Sequence, residues 1–383
     1  MQMPIPKFAN AQPLGPEAVP GGTGWLASHA LEPNFTLSPE WIGPMLAACA
    51  RPGQVEAVQT LAANGQCGGY AVVERKRWRW GLPLVHAESW FGDFPISGTP
   101  LINADDPAGN CAGLIEAIFD RTGADALLLS HVTGHHVVSS VLVDGCAAIG
   151  APIRFMNDRK RAALRCNGDF EAWFDETFPR KRRKELRRLK SRLAETGELA
   201  VGVRAAGEPG LSQWIDSFIA LEQAGWKGEA GTAIGQSDAL TRFVRASLAE
   251  LDAAGKLMTW SMALDGKPVA MMFGVRNGAT ASIVKMAHDE SLNRFSPGQL
   301  LILEATRTLF DHDEIMFADS CAAPGHPMID HLWKDRLEVR DVLIGNPHKA
   351  FAMFPFIHAL ERARRSTFQH LKALRHILQK GKR

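Results

Sequence analysis

With 383 residues, of which 46% are hydrophobic and 22% charged, the chain has the length of two ordinary domains and enough apolar content to give each a core. A net charge of +2 decides nothing about polyanionic partners, but no run of about 18 apolar residues marks a transmembrane helix. Cys49, Cys67, Cys111, Cys146, Cys166 and Cys321 show no CxxC spacing, which argues against a zinc site, a redox pair or a disulfide scaffold.

Residues 1–35 are rich in Pro and Gly and read as an extended or mobile segment. Their apolar content falls short of a signal peptide, so a cytoplasmic location is expected. Ser38-Pro39-Glu40 is a helix start, and residues 38–63 read as helical. Strands are expected over 67–103, in CGGYAVVER, LPLVHAESW and ISGTPLI. GDFPISGTPL (92–101) is a candidate lining of an acceptor site, with Asp93 its most chemical residue. A helix over 106–121, a buried strand over 126–132, a helix over 133–149 and the strand PIRFM follow. Ser130-His131 and His135-His136 look metal-like, but no third ligand at a useful spacing accompanies them. They read as strand-end and helix-start residues, and no metal is expected.

The second half opens with helices over 170–196, 209–225 and 237–254. Residues 180–192, RKRRKELRRLKSR, hold nine Lys/Arg against one Glu, with Leu186, Leu189 and Leu193 on one stripe. That run is a solvated helix face or a site for a polyanion. Gly225-Trp226-Lys227-Gly228 interrupts a helical stretch and is either a loop over substrate or a Trp plugging an edge. Residues 256–288 read as a three-stranded meander, turned at Asp265-Gly266 and Asn277-Gly278, dipeptides that accept the positive φ of tight hairpins. Lys285 sits in the otherwise apolar ASIVKMA and must point outward or find a partner. A helix opens at Pro297-Gly298, its free N–H groups suited to a diphosphate. A strand over 314–319, a short helix over 327–334, a strand over 337–345 and a basic helix within 347–383 complete the chain. That last helix could touch anionic lipid or nucleic acid, or dock on the body.

Meander, helix, strand, helix, strand thus occurs twice. The expected fold is α/β (α+β) with two similar domains, 36–168 and 169–346, and a site at their shared face.

Four second-half segments carry a family resemblance: FPRKRRKELRRLKSRL (178–193), LEQAGWKG (221–228), VKMAHDESLNRFSPGQLLILEA (284–305) and DSCAAPGHPMIDHLW (319–333). In this order they resemble the acetyltransferase domain of the CelD/BcsL-type GNAT family, over roughly residues 170–345, with the first half matching weakly. The family is related to the Fem-type aminoacyltransferases, which carry two GNAT-like domains. The resemblance implies two tandem GNAT-like domains, each a mixed, mainly antiparallel sheet flanked by helices. It implies acyl transfer from acyl-CoA or acetyl-CoA to an amine or hydroxyl of a small-molecule or polysaccharide-precursor acceptor. An aminoacyl-tRNA donor and a non-catalytic module in polysaccharide synthesis are the alternatives.

The donor's candidate contacts are Lys285, Arg294, Ser296, Gly298 and Gln299. Arg294-Phe-Ser-Pro-Gly298-Gln299-Leu300 departs from the usual GNAT phosphate loop, since it has one Gly and a Pro that removes a donor. Trp226, Lys227 and Asp93 are candidates for substrate contact. Acyl transfer needs a base near the acceptor and a preorganised donor for the oxyanion. His326, Asp330 and His331, with Asp319 at a strand end, are the first acid/base candidates, and Asp289 in His288-Asp289-Glu290 is the next. A helix cap and a solvated loop are the plainer readings of these groups. Many GNAT enzymes protonate the leaving thiolate with a Tyr, but Tyr70 is the sole tyrosine and lies in the first half. Water, Cys321, His326 or His331 would substitute, or Tyr70 would reach across. No GxSxG elbow is present, which agrees with direct attack and no covalent enzyme intermediate.

Overall fold

The computed structural model describes residue 19 and residues 21–51, 53–133, 136–349 and 353–380. Residues 1–18, most of the segment expected to be extended, and His135 lie outside the described residues. The described part of that segment contains a short helix, α1 (Thr23–His29).

The first half continues with α2 (Pro39–Cys49), started by Pro39 in the first turn after Ser38. The helical expectation over 38–63 is corrected here, because β1 (Val55–Leu61) follows. Its run of β-branched and apolar residues pairs antiparallel with β2 (Cys67–Arg77). Next come β3 (Val85–Ser89), β4 (Leu101–Ile102), α3 (Pro107–Thr122), β5 (Ala126–Thr133), α4 (His136–Ala148) and β6 (Ile153–Arg165). Asp106 caps α3 through its side chain, and Gly123 ends it at φ 60°, a left-handed conformation that costs glycine nothing.

The second half runs α5 (Phe170–Thr177), α6 (Arg180–Ala194), β7 (Leu199–Arg204), α7 (Leu211–Ala224), α8 (Trp226–Glu229), α9 (Asp238–Ala253), β8 (Leu257–Leu264), β9 (Lys267–Asn277) and β10 (Thr280–His288). It ends with α10 (Pro297–Phe310), β11 (Phe317–Asp319), β12 (Asp335–Gly345) and α11 (Phe354–Lys380). The helix expected over 327–334 is a single 3-10 turn, Ile329–His331. The strand ISGTPLI shrinks to the two residues of β4. None of the described helices is long and apolar enough to cross a membrane.

All the strands join one sheet, in the order β1-β2-β3-β5-β12-β6-β11-β10-β9-β8-β7, with β4 paired to β2. The order shows two equivalent halves. In each, a meander is followed by a helix and a strand parallel to the meander's last strand: β3 with β5, and β10 with β11. The halves also exchange their final strands. β12 lies antiparallel to β5, β6 lies antiparallel to β11, and the two long strands pair with each other at the centre.

Helices cover both faces. Leu186 and Leu193 of α6 bury with Phe170, Phe174, Leu301 and Trp333 in the second-half core. A second core crosses between the halves, where Trp41 packs edge-on against Phe94 and Phe243 at centroid distances of 5.4 and 4.9 Å. Such aromatic pairs add about 0.5–1.5 kcal/mol each beyond their buried area. This aromatic joint positions the loop bearing Asp93 and Phe94 above β10.

Candidate functional site

β10 and β11 pair over three positions only: Thr280 with Phe317, Ala281 with Ala318 and Ser282 with Asp319. The strands then part. β10 runs on to His288 against β9, while the chain after Asp319 turns away through Cys321 at φ 51°. Asp319 holds that turn, accepting from the Cys321 amide at 2.9 Å and from Arg161, which is 4% exposed. A bulge between Ile283 and Lys285 twists β10 where the partner is lost and re-aims its side chains. Beyond Ser282 no strand pairs with this edge of β10 among the described residues. An unpaired strand edge offers fixed N–H donors to a developing oxyanion.

Two cavities meet in this parting. One, of about 220 Å³, lies toward α10 and is lined by residues including Trp226, Met286, His288, His326 and Met328. The other, of about 370 Å³, lies between the halves and is lined by residues including Asp93, Phe94, His131, Arg159 and Arg161. Lys227, Val284, Lys285, Cys321 and Ala322 line both. A donor entering from one side and an acceptor from the other would meet at Lys285.

The equivalent parting of the first half is filled. β3 and β5 pair at His86–Ala126, Ala87–Leu127 and Glu88–Leu128, and beyond that the chain at 97–99 closes on β5. Gly98 donates to the His131 carbonyl, and Thr99 Oγ1 accepts from the Thr133 amide at 2.9 Å. A Cβ on Gly98 would overlap the Ser130 carbonyl oxygen and sit 2.6 Å from Ser89 Oγ. Only glycine fits there.

A buried carboxylate organises the open parting. Glu222, 3% exposed, receives both Lys227 (3.0 Å) and Lys285 (3.1 Å) on Oε1, and Oε2 accepts the Ile234 amide at 2.9 Å. Burial would raise the Glu222 pKa, but Lys285, that amide and Lys227 together hold it below its ordinary value. Burial pushes Lys285 down; Glu222 opposes this and Lys227 adds to it. The Lys285 ammonium also sits 5.0 Å from the Phe94 ring centroid. Glu222 was not singled out from the sequence. The signal was present: Ile215, Phe218, Ile219 and Glu222 fall on one face of α7, a carboxylate on an apolar stripe. Arg161 and Arg159 were likewise missed as wall residues, because β6 was read as ending near Met156, and His131 was read only as a strand-end residue of β5.

Among the expected site residues, Asp93, Trp226, Lys227, Lys285 and His326 line the cavities. Burial pushes the His326 pKa down against the pull of Asp330, and its Nδ1 accepts the Met328 amide at 3.4 Å. Asp330 accepts the Gly325 amide at 2.9 Å, and His331 is exposed; neither lines either of these two cavities. Asp319 stands behind the wall on Arg161, and Asp289 caps the Glu290–Phe295 turn through the Ser291 amide. Tyr70 is fully buried in the core of β2 and lines neither cavity.

The expected diphosphate turn sits beside the smaller cavity. Ser296 adopts φ 53°, and the Gly298 and Gln299 amides have no hydrogen-bond partner among the described residues. A Cβ on Gly298 would lie 3.2 Å from both Met286 and Met328, two flexible tips that line the cavity. Gln299 accepts from Arg182 of α6 at 2.9 Å, while Arg294 is exposed over the Phe295 ring.

Residues 180–321 match the family described as an acetyltransferase (GNAT) domain. The match spans α6 to the turn at Cys321 and contains the open parting. No curated protein matches the chain. Among solved structures, the fold is similar to L-PGS from Bacillus licheniformis, at 11% identity over 91% of this chain and 98% of that one, with a TM-score of 0.55. It is also similar to a conserved protein of unknown function from Bacteroides thetaiotaomicron (13% identity, 85% and 95% coverage, TM-score 0.54). FemX is a third similar structure (10% identity, 82% and 89% coverage, TM-score 0.52). At such identities the likeness is one of fold: two similar units sharing one sheet, the second of which carries the GNAT match.

Proposed function

We propose that the chain transfers an acyl group from acyl-CoA to an amine or hydroxyl by direct attack at the β10–β11 parting. One observation carries this reading: a GNAT-matching segment leaves an unpaired strand edge facing two cavities that meet at Lys285. The thioester carbonyl would lie along β10, with strand amides and the Lys285 ammonium facing its oxygen as negative charge develops. The Gly298 and Gln299 amides, at the positive end of α10 and without a partner among the described residues, would face the donor's diphosphate.

The acceptor would enter between the halves, past Asp93. Held against the carbonyl, it gains the rate advantage of a positioned reactant, up to several kcal/mol. The acceptor's proton would pass to solvent in that cavity, while His326, on the donor side with its pKa lowered by burial and its Nδ1 taken by the Met328 amide, would protonate the leaving thiolate from Nε2. The finer assignment to the CelD/BcsL type rests on the four quoted segments, and a cytoplasmic location on the dispersed free thiols.

An aminoacyl-tRNA donor is the second reading, and α6 favours it. Arg180, Lys181, Lys184, Arg188 and Arg192 are exposed, without an ion pair among the described residues, on the helix bonded to Gln299. Release of free thiol from a panel of acyl-CoAs, with thermal shift at millimolar donor, tests the first reading. The absence of both thiol release and a thermal shift would sink it. Binding of aminoacyl-tRNA that falls steeply with salt would then favour the second.

A further inference from the structure

His131 and Arg159 belong to the wall of the between-halves cavity and also to that of a third cavity, of about 410 Å³, on the first half. Arg79, Arg364 and Arg365 complete its charged wall, with Asp341 the one carboxylate among the lining residues. We propose that this third cavity binds a phosphate-bearing part of the acceptor, a diphosphate in its simplest form.

The arginines are held from behind. Glu361, fully buried, accepts Arg79 Nε at 2.9 Å, Arg79 Nη2 at 3.1 Å, Trp80 Nε1 at 2.9 Å and Arg365 Nε at 2.6 Å. Asp341 accepts Arg159 at 3.1 Å, Arg365 at 2.5 Å and Asn157 at 2.8 Å. The β12 ladders are irregular at Arg340 and Asp341 against both neighbouring strands, a kink that re-aims the side chains there.

The lattice leaves cationic capacity unused. Each guanidinium has five N–H donors in a fixed fork, and the buried carboxylates take only some of them. Arg364 is the least compensated, its nearest carboxylate being Glu361 at 3.9 Å while its guanidinium rests over Phe368. Its pKa is pushed down by burial and by Arg79. His131 Nδ1 is buried without a partner at the neck between the two cavities. Preorganised guanidinium forks match phosphate oxygens better than they match any neutral group. The volume suits a diphosphate with part of what it carries.

The role as anchor of the acceptor rests on the acyl-transfer reading; the anion chemistry does not. The test is calorimetric titration of the full chain with pyrophosphate and with uridine diphosphate, without acyl donor, and co-sedimentation with phosphatidylglycerol vesicles. Arg364→Ala is the main variant, since Arg364 holds up the fold least. Arg364→Lys keeps the charge and loses the fork.

The expected result is binding that Arg364→Ala weakens about tenfold or more, and that Arg364→Lys restores only in part. Binding of the soluble diphosphates makes the source a soluble molecule. Arg364-dependent binding to vesicles alone makes it a lipid headgroup. Absence of binding in both arms, or equal affinity in the wild type and Arg364→Ala, overturns the proposal. So does an equal loss of acyl-CoA binding in Arg364→Ala, which would make the cavity part of the donor site. A chain that binds diphosphate through Arg364 but fails to release thiol would refute transfer from acyl-CoA and leave the anion site standing.

Discussion

The two halves place the same construction, a parallel pair that parts after three positions, in opposite states. At β3 and β5 the gap is closed by Gly98 and Thr99, whose backbone and side chain satisfy the freed groups of β5. At β10 and β11 nothing among the described residues closes it, and a carboxylate with two lysines lies at its mouth. A sheet edge inside a protein must be paired, filled or put to use. One half fills it with its own chain; the other leaves it open, and the proposed site lies there.

Five substitutions would break or sharpen this contrast. The largest effect is expected from Glu222→Gln, which leaves two partly buried lysines without their shared anion. Unfolding free energy in urea should drop by about 3 kcal/mol, and catalytic activity should fall with it. A drop below 0.5 kcal/mol would mean that the cluster is not a structural unit.

Next is a pair of glycine variants with opposite signatures. Gly98→Val should cost about 2–3 kcal/mol of stability by overpacking against Ser130 and Ser89, with donor affinity unchanged. Gly298→Leu should first meet the flexible tips of Met286 and Met328, costing about 1 kcal/mol in stability and at least about tenfold in acyl-CoA affinity. If the two variants behaved alike, the partings would not differ in role.

A third effect is pH dependence on the first-half side. Burial, with Arg159, Arg161 and Arg365 against Asp341, pushes His131 from 6.5 down to about 4. The unfolded chain therefore binds more protons between those values, and stability should fall as pH drops from 6.5 toward 4. Urea melts of the wild type and His131→Gln at several pH values would show it, with the variant curve flatter in that window. The smallest effect belongs to Asp289→Ala, which removes a turn cap at the far end of β10. About 0.5–1 kcal/mol should be lost, with thiol release unchanged; a large kinetic defect would return Asp289 to the chemistry.

Much of the second half was legible. The meander followed from its two hairpin dipeptides, and α10 from Pro297 at its first turn. Lys285, Trp226, Lys227, Asp93 and His326 reached the cavity walls because unusual residues in apolar or glycine-bounded settings were the ones marked. Glu222 was overlooked because a single carboxylate in an amphipathic helix looks solvated until the face is counted. The segment 96–100 was read as strand, although Gly98 and Pro100 disfavour one. Its actual partner, the end of β5, is more than thirty residues away in sequence, and local pattern carries no information about that.

What the chain determined by itself is the sequence of local elements and the residue chemistry available to them. Periodicity, capping residues and turn dipeptides act over a few positions, and those positions are adjacent in the chain. What the tertiary structure alone decided is which parting is closed, which strands the halves exchange, and which arginines share a buried acid. Each of these is a choice among partners far apart in sequence, settled by packing and by the cost of leaving a buried polar group unpaired.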